Sequence, residues 1–400
     1  MNQPLLFTPL SIRGAVLKNR VVVAPMHQYS AVAGHATDWH LVNAGRYAQG
    51  GAGLVIMEST KVARNGCGTV GDTGLWHDNF VPALARCAAF IRAQGALAGI
   101  QLGHSGRKAR LARPWEGGTP LTGCEPGVYD WDDWELVAPS AVPHTEATPT
   151  PRELSLAEVR ALIANWGEAA ARAARCGFDV LEIHAAHGYL IHQFLSPLAN
   201  RRGDAYGGSV ERRMRFACEV AASVRAAWPA DRPLFMRLSC EDDAGWGPEE
   251  SVRLARQLKA EGVDVIDCSS GGILAHSPMD GVRAQRYGYQ VPYADKIRRE
   301  AAIATMAVGH IVHADQAEAI LQQGRADLVA LAREIMHNPS WPMDAAQKLG
   351  ADPEFRLVPP PVAYWLAKRA KSRFEGTPST WSRGLGVAPS VPTRQPPKGE

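Results

Sequence analysis

"SLAEVRALIANWGEAAARAARCG" (155–177) runs directly into "FDVLEIHA" (178–185). The first stretch opens on a serine suited to capping a helix, carries apolar residues at three-to-four spacing and stops at Gly177, so it reads as an amphipathic helix. The second is apolar almost without alternation, the mark of a strand buried on both faces in a parallel sheet covered by helices. The same kind of run recurs along the chain as "RVVVAPM" (20–26), "GLVIMES" (53–59), "LAGIQLG" (97–103), "PLFMRLS" (233–239), "VDVIDCSS" (263–270), "ATMAVG" (304–309) and "ADLVALA" (326–332). Helical segments such as "SVERRMRFACEVAASVRAAW" (209–228) and "PEESVRLARQLKAEG" (248–262) lie between them. Eight such units predict a (β/α)8 TIM barrel, with a doubly wound open sheet as the alternative.

Two regions exceed a bare barrel. Residues 104–152, rich in Pro, Gly and Trp, follow the third strand and are expected to form a lid insertion on the strand C-terminal face, where this fold places its chemistry. The barrel domain is expected to span 1–350 and a C-terminal extension 351–400, with 376–400 lacking regular structure. A formal net charge of +3, with Lys and Arg spread along the chain, argues against a nucleic-acid binder. The seven cysteines form no C-x-x-C pair, which favours reduced thiols in a cytoplasmic protein over a disulfide framework or a metal–thiolate site. No apolar run of about 18 residues suggests a membrane span, and the first residues lack the pattern of a secretory leader.

In a barrel the C-terminal strand ends converge on one mouth. They supply Pro25, Met26, His27 and Tyr29; Glu58, Ser59 and Thr60; Gln101, His104, Arg107 and Lys108; His184, His187 and Tyr189; Arg237; Ser269 and Ser270; Gly309; and Arg333. A catalytic zinc would need several histidine and carboxylate ligands there, whereas two of these strands end in arginine, so no metal is expected. Arginines, a lysine and two histidines suit anions and electron-rich oxygens. The last two loops are the usual phosphate site of this fold, which points to a phosphorylated cofactor.

"NRVVVAPM" (19–26), "GIQLGHSGRKA" (99–109), "EIHAAHGYLIHQFLSPLANRRGDAYGGSVERRMRF" (182–216) and "GRADLVALAREIMHNP" (324–339) resemble the Old Yellow Enzyme family of FMN-dependent ene-reductases, in collinear order over roughly residues 5 to 345. "DWHLV", "RPWEG" and "AYWL" are similar to its thermophilic-like, xenobiotic reductase branch. The resemblance implies FMN as cofactor and NAD(P)H as hydride donor. It places Ala24, Pro25, Met26 and His27 beside the isoalloxazine, Ser59 and Gln101 on its edge, Arg237 near its N1/O2 side, and Gly309, Ala332 and Arg333 at its phosphate, with Ala332 standing where the family usually has Gly. It implies that His184 and His187 donate to a substrate oxygen, that Tyr189 supplies a proton, and that Tyr29, Lys108, Tyr287 and Trp365 border the substrate, Tyr289 being a further aromatic candidate. His192 and the "NRRGDAYGGSVERR" segment read as scaffold: Gly207 and Gly208 turn the chain, Ser209 caps a helix, and Asp204 is expected to pair with Arg213 or Arg215.

The expected activity is reduction of activated alkenes such as enones. Two alternatives are desaturation or aromatisation of a cyclic substrate by the same cofactor, and a flavin-free barrel that only binds phenols. Relatives pair subunits, so a homodimer or homotetramer acting on small molecules is expected. His27 departs from the branch, which has cysteine there; an imidazole could become cationic beside the flavin and make its potential depend on pH.

Overall fold

The computed structural model of the chain describes residues 3–128, 130–274 and 286–371. One strand forms in each of the eight apolar runs: β1 Val21–Val23, β2 Leu54–Lys61, β3 Leu97–Gly103, β4 Val180–Ala185, β5 Leu234–Ser239, β6 Val265–Ser269, β7 Ala304–Ala307 and β8 Leu328–Leu331. All pair in parallel with their sequence neighbours, and β8 returns to β1, so the sheet closes into a barrel. Between β3 and β4 the helix Leu156–Arg175 starts at Ser155, whose hydroxyl accepts from the Glu158 N–H while the Glu158 carboxylate accepts from the Ser155 N–H at 2.8 Å. It ends as Gly177 enters the left-handed region at φ 83°. Ser209 likewise caps Val210–Ala227.

Alternation along the strands sorts side chains between lumen and shell. On β4, Leu181, Ile183 and Ala185 join the shell core with Trp166 and Phe216. Val180 joins the lumen with Leu54, Phe235, Val265, Met306 and Leu328. Burying a side chain of this size stabilises by roughly 1.5–3 kcal/mol. Above this apolar plug Gln101 Nε2 donates to Glu182 Oε1 at 2.7 Å, and Arg237 Nε stands 3.2 Å from Asp267 Oδ2, close as an ion pair but not aligned as a hydrogen bond. Burial, and then the like charge of Asp267, push the Glu182 carboxyl up to about 8.

On β2 the register to β3 slips between Met57 and Ser59, so Leu54 and Ile56 pair with Leu97 and Gly99 while Ser59 and Lys61 pair with Gln101 and Gly103. This bulge reverses the parity of the strand end. Glu58 turns toward His40, whose Nε2 lies 2.8 Å from Glu58 Oε1, and Ser59 and Lys61 turn toward the mouth.

Residues 104–152 follow β3 as short turns, Gly106–Lys108 and Pro114–Glu116, and a strand pair of Val137–Ala138 with Arg152–Glu153. Arg107 ties the segment down, donating to Pro143 O at 3.2 Å and Ile273 O at 2.8 Å. The helix Pro360–Ala370 buries none of its residues, and 376–400, expected to lack regular structure, lies outside the described residues. No helix among the described residues is long and apolar enough to cross a membrane. Asp204 pairs with Arg202, at 2.6 Å, rather than with Arg213 or Arg215: the Arg213 guanidinium is taken by Leu195 O and Gly208 O.

Candidate active site

The loop after β4 is the centre of the mouth. His184 is the last inward residue of the strand, and its Nδ1 accepts from the Ala186 N–H at 3.2 Å. The ring's one hydrogen in the neutral form is therefore on Nε2, for which there is no hydrogen-bond partner among the described residues. His187 lies 5.1 Å away between ring centroids, and Tyr189 4.9 Å from His184. His187 adopts φ 58°, a left-handed conformation that costs roughly 1–2 kcal/mol for a residue with a Cβ. Three contacts hold it there: its N–H donates to Ser239 Oγ at 2.9 Å, its carbonyl accepts from Lys108 Nζ at 3.0 Å, and its Nε2 meets Ser269 Oγ at 2.8 Å. Gly188 follows at φ 72°; a Cβ there would come within 2.0 Å of Gly272 O.

Burial, then neighbouring cations and histidines, hold both His184 and His187 well below the usual imidazole range, so they are neutral. Burial, then Tyr29 and Asp72, raise the Tyr189 phenol far above its usual value, so it keeps its proton. The Tyr189 hydroxyl has no hydrogen-bond partner among the described residues. Lys108, from the segment after β3, donates also to Gly272 O at 3.2 Å; burial, then Arg107, lower its ammonium to about 8.

A cavity of about 740 Å³ opens beside this loop, lined among others by Lys108, His187, Arg237, Ser269, Gly309, Ala332 and Arg333. Its far end is made by the turns after β7 and β8. Gly309 takes φ 107°, and a Cβ there would lie 2.6 Å from Gln290 Nε2. Ala332 has φ −116°, outside the left-handed region, so an alanine is accommodated without the freedom of glycine. Ala24 is fixed at this seam, its N–H donating to Leu331 O at 2.9 Å. Arginines at both ends, a backbone turn that excludes a Cβ and a lumen floor of apolar side chains fit a planar ring system carrying a phosphate.

The structure thus brings together Arg237, Gly309, Ala332, Arg333, Lys108 and His187 on the cavity wall, with His184, Tyr189, His27 and Tyr29 in ring contact beside them. Ser59 and Gln101 share one register level on β2 and β3, and Pro25 and Met26 continue from Ala24 toward His27. Tyr289 lines the cavity. Tyr287 and Trp365 do not: each is 66% exposed, Tyr287 against His313 and Trp365 against Tyr364 and Lys368. His104, expected at the mouth, is buried against Asn65 Oδ1 at 3.1 Å. His192 is scaffold, its Nδ1 accepting from the Gly188 N–H at 2.8 Å. His27 differs from its expected cationic role. Burial, then Lys61, hold its imidazole down at about 4. The sequence reading missed two residues. His144 lines the cavity from the insertion. Lys61 is placed by the bulge and lies over the Tyr189 ring at 5.3 Å.

A barrel with this mouth belongs with the flavin-binding oxidoreductases, and comparison with known proteins agrees. The model of the NADH:flavin oxidoreductase / NADH oxidase family matches residues 5–352. An NADPH dehydrogenase of Geobacillus sp. (strain WCH70) is 44% identical over 353 residues, covering 87% of this chain and 95% of that one. Morphinone reductase in complex with tetrahydroNAD superposes with a TM-score of 0.69 at 27% identity, covering 86% of this chain and 91% of that one. A 2-naphthoyl-CoA reductase complex gives a TM-score of 0.76 at 26% identity over 88% of this chain and 53% of that longer one. The chain belongs to the NADH:flavin oxidoreductase / NADH oxidase family, the Old Yellow Enzyme family that its motifs resemble. It is an oxidoreductase with FMN as cofactor and NAD(P)H as hydride donor.

Proposed function

We propose that the enzyme reduces the C=C bond of small activated alkenes, enones above all, with NADPH as donor. The observation that carries this reading is the trio His184, His187 and Tyr189: a neutral imidazole with a second neutral imidazole 5.1 Å and a protonated phenol 4.9 Å from it, ring to ring, beside the cavity. FMN, when bound, supplies two-electron chemistry, taking a hydride from the nicotinamide and delivering it to the alkene. Its holders would be Ala24, Pro25, Met26, His27, Ser59, Gln101 and Arg237 around the ring system, with Gly309, Ala332 and Arg333 at the phosphate.

His184 donates through Nε2 to the carbonyl oxygen of the substrate, and His187 joins it once its ring exchanges Ser269 for the ligand. Withdrawing electron density through that oxygen leaves the β-carbon electrophilic. Tyr189 then gives its phenolic proton to the α-carbon and recovers one from solvent. Tyr29 and Lys108 border the substrate. The 104–152 segment is suited to act as a lid: Arg113 Nε donates to Tyr29 O at 2.9 Å, and Trp115 meets the Tyr29 ring edge-on at 5.7 Å. A donor preference for NADPH is supported by the name of the similar Geobacillus enzyme. The free state of the seven cysteines supports a reducing, cytoplasmic setting. The helix Pro360–Ala370, which has no fully buried residue and carries the exposed Trp365, supports assembly into a homodimer or homotetramer.

The test is an anaerobic two-stage titration. NADPH bleaches the flavin absorbance, and 2-cyclohexenone then restores it with formation of the saturated ketone. Bleaching of the oxidised enzyme by cyclohexanone, with no recovery on adding the enone, would instead establish a desaturase.

A further inference from the structure

The reaction outlined above leaves one buried cluster unused. Lys61, the last residue of β2, is 0% exposed. Its ammonium stands 3.1 Å from His27 Nε2, 3.2 Å from Ser59 Oγ and 3.4 Å from Asp72 Oδ2. Asp72 is itself buried and is held by the Gly68 N–H at 2.7 Å and the Thr69 hydroxyl at 2.8 Å. An ammonium carries three hydrogens and no lone pair. Its three neighbours are all acceptors, and the Asp72 carboxylate supplies the countercharge. His27 Nε2 must therefore accept, which leaves the single ring hydrogen on Nδ1.

The ring is also oriented. Tyr29 stacks on it at 5.2 Å and 11°, and Tyr189 meets it edge-on at 6.1 Å. His27 is only half-buried, and for its Nδ1 there is no hydrogen-bond partner among the described residues. Only the bulge in β2 turns Lys61 inward; without it the lysine would point into the helical shell.

We propose that Lys61 is a positioning residue that locks His27 as a neutral Nδ1–H donor, so that the flavin is met by a hydrogen bond whose charge state does not change across the working pH range. The second half of this statement rests on the reading that residues 24–27 border the flavin. The charged groups facing His27 are Lys61 and Glu58 from β2, Asp72 from the following loop and Lys108 from the segment after β3. Burial and the nearby Lys61 prevail over the two acids, in keeping with an imidazole held at about 4.

Imidazole ¹⁵N NMR of the wild-type protein, with the signal assigned by its loss in His27→Cys, tests the first half without any turnover. The expected spectrum has Nδ1 protonated and Nε2 bare, unchanged from about pH 5.5 to 8.5. A proton on Nε2, or a cationic ring at the acid end of that range, overturns the proposal. In Lys61→Met the same ring is expected to titrate at a higher pH than in the wild type, because burial still holds it down while Asp72 and Glu58 are left unopposed by the lysine, and unchanged titration overturns the role of Lys61. Should that variant fail to fold, the wild-type spectrum still decides the tautomer. The second half is read from the flavin midpoint potential over the same range. Wild type and His27→Cys should differ in potential but share one pH slope, and Lys61→Met should steepen the slope below its new histidine pKa. The predicted tautomer with a potential that neither variant moves would keep the Lys61–His27 lock and overturn its placement beside the flavin.

Discussion

At the scale of single residues, the site depends on which hydrogens are where. His184 has its Nδ1 occupied by the Ala186 N–H, so only Nε2 can donate. Tyr189 has its phenol raised by burial and by Tyr29 and Asp72, so it enters the reaction protonated. Tyr189→Phe should therefore leave flavin reduction by NADPH unchanged and slow reoxidation by the enone about 10²- to 10⁴-fold, the usual worth of a positioned general acid. Stopped-flow measurement of the two half-reactions separates these effects. A loss confined to the NADPH step would remove Tyr189 from the proton-donor role. The histidine–tyrosine trio was legible in "EIHAAHGYLIHQF" because its members stand on one strand end and the loop after it. The state of His27 was not. Its neutrality owes first to burial and then to Lys61, 34 positions away and on the next strand, and no local pattern ties the two.

At the scale of elements, strand parity determines what reaches the mouth. The eight strands could be read from apolar runs because a parallel strand buried on both faces leaves that signature whatever its neighbours are. A bulge leaves no such mark. "LVIMESTK" reads equally well with Glu58 or Ser59 inward, and only pairing with β3 shows that Ser59 and Lys61 face the lumen while Glu58 meets His40. Gly103 makes that arrangement possible, since a Cβ there would stand 2.1 Å from Ser59 Oγ and 3.6 Å from His184 Cβ. Gly103→Ala should overpack the strand ends at a cost of about 1–3 kcal/mol, read as a lower melting temperature and easier loss of FMN on dialysis. Ser59→Ala in the same chain removes the contacted oxygen and should recover most of the melting temperature. A double variant no better than Gly103→Ala alone would show that the crowding lies elsewhere.

For the whole molecule, the mouth and the scaffold directly behind it concentrate neutral imidazoles that are buried or half-buried. His27 is held at about 4, His104 and His144 at about 3, and His184, His187 and His192 below their ordinary value, burial being the first cause for each. In the unfolded chain these groups take up protons as the pH falls through ~6.5, whereas the folded chain resists until far lower. The unfolded state then binds more protons, so stability rises with pH across this window and is lost on acidification. Denaturant unfolding between about pH 7 and 4.5 should show a midpoint that falls steeply below ~6.5, well before carboxylate titration takes over. A flat midpoint down to pH 5 would mean that these rings are protonated in the folded state.

The reaction itself is tested most directly by where two hydrogens end up. NADPH deuterated at the transferring position, turned over with 2-cyclohexenone in ordinary water, should place its deuterium at the β-carbon of the saturated ketone, by way of the flavin. Unlabelled NADPH in heavy water should place solvent deuterium at the α-carbon. Nicotinamide deuterium at the α-carbon, or solvent deuterium at the β-carbon, would contradict the division of labour between the flavin face and the His184–His187–Tyr189 loop.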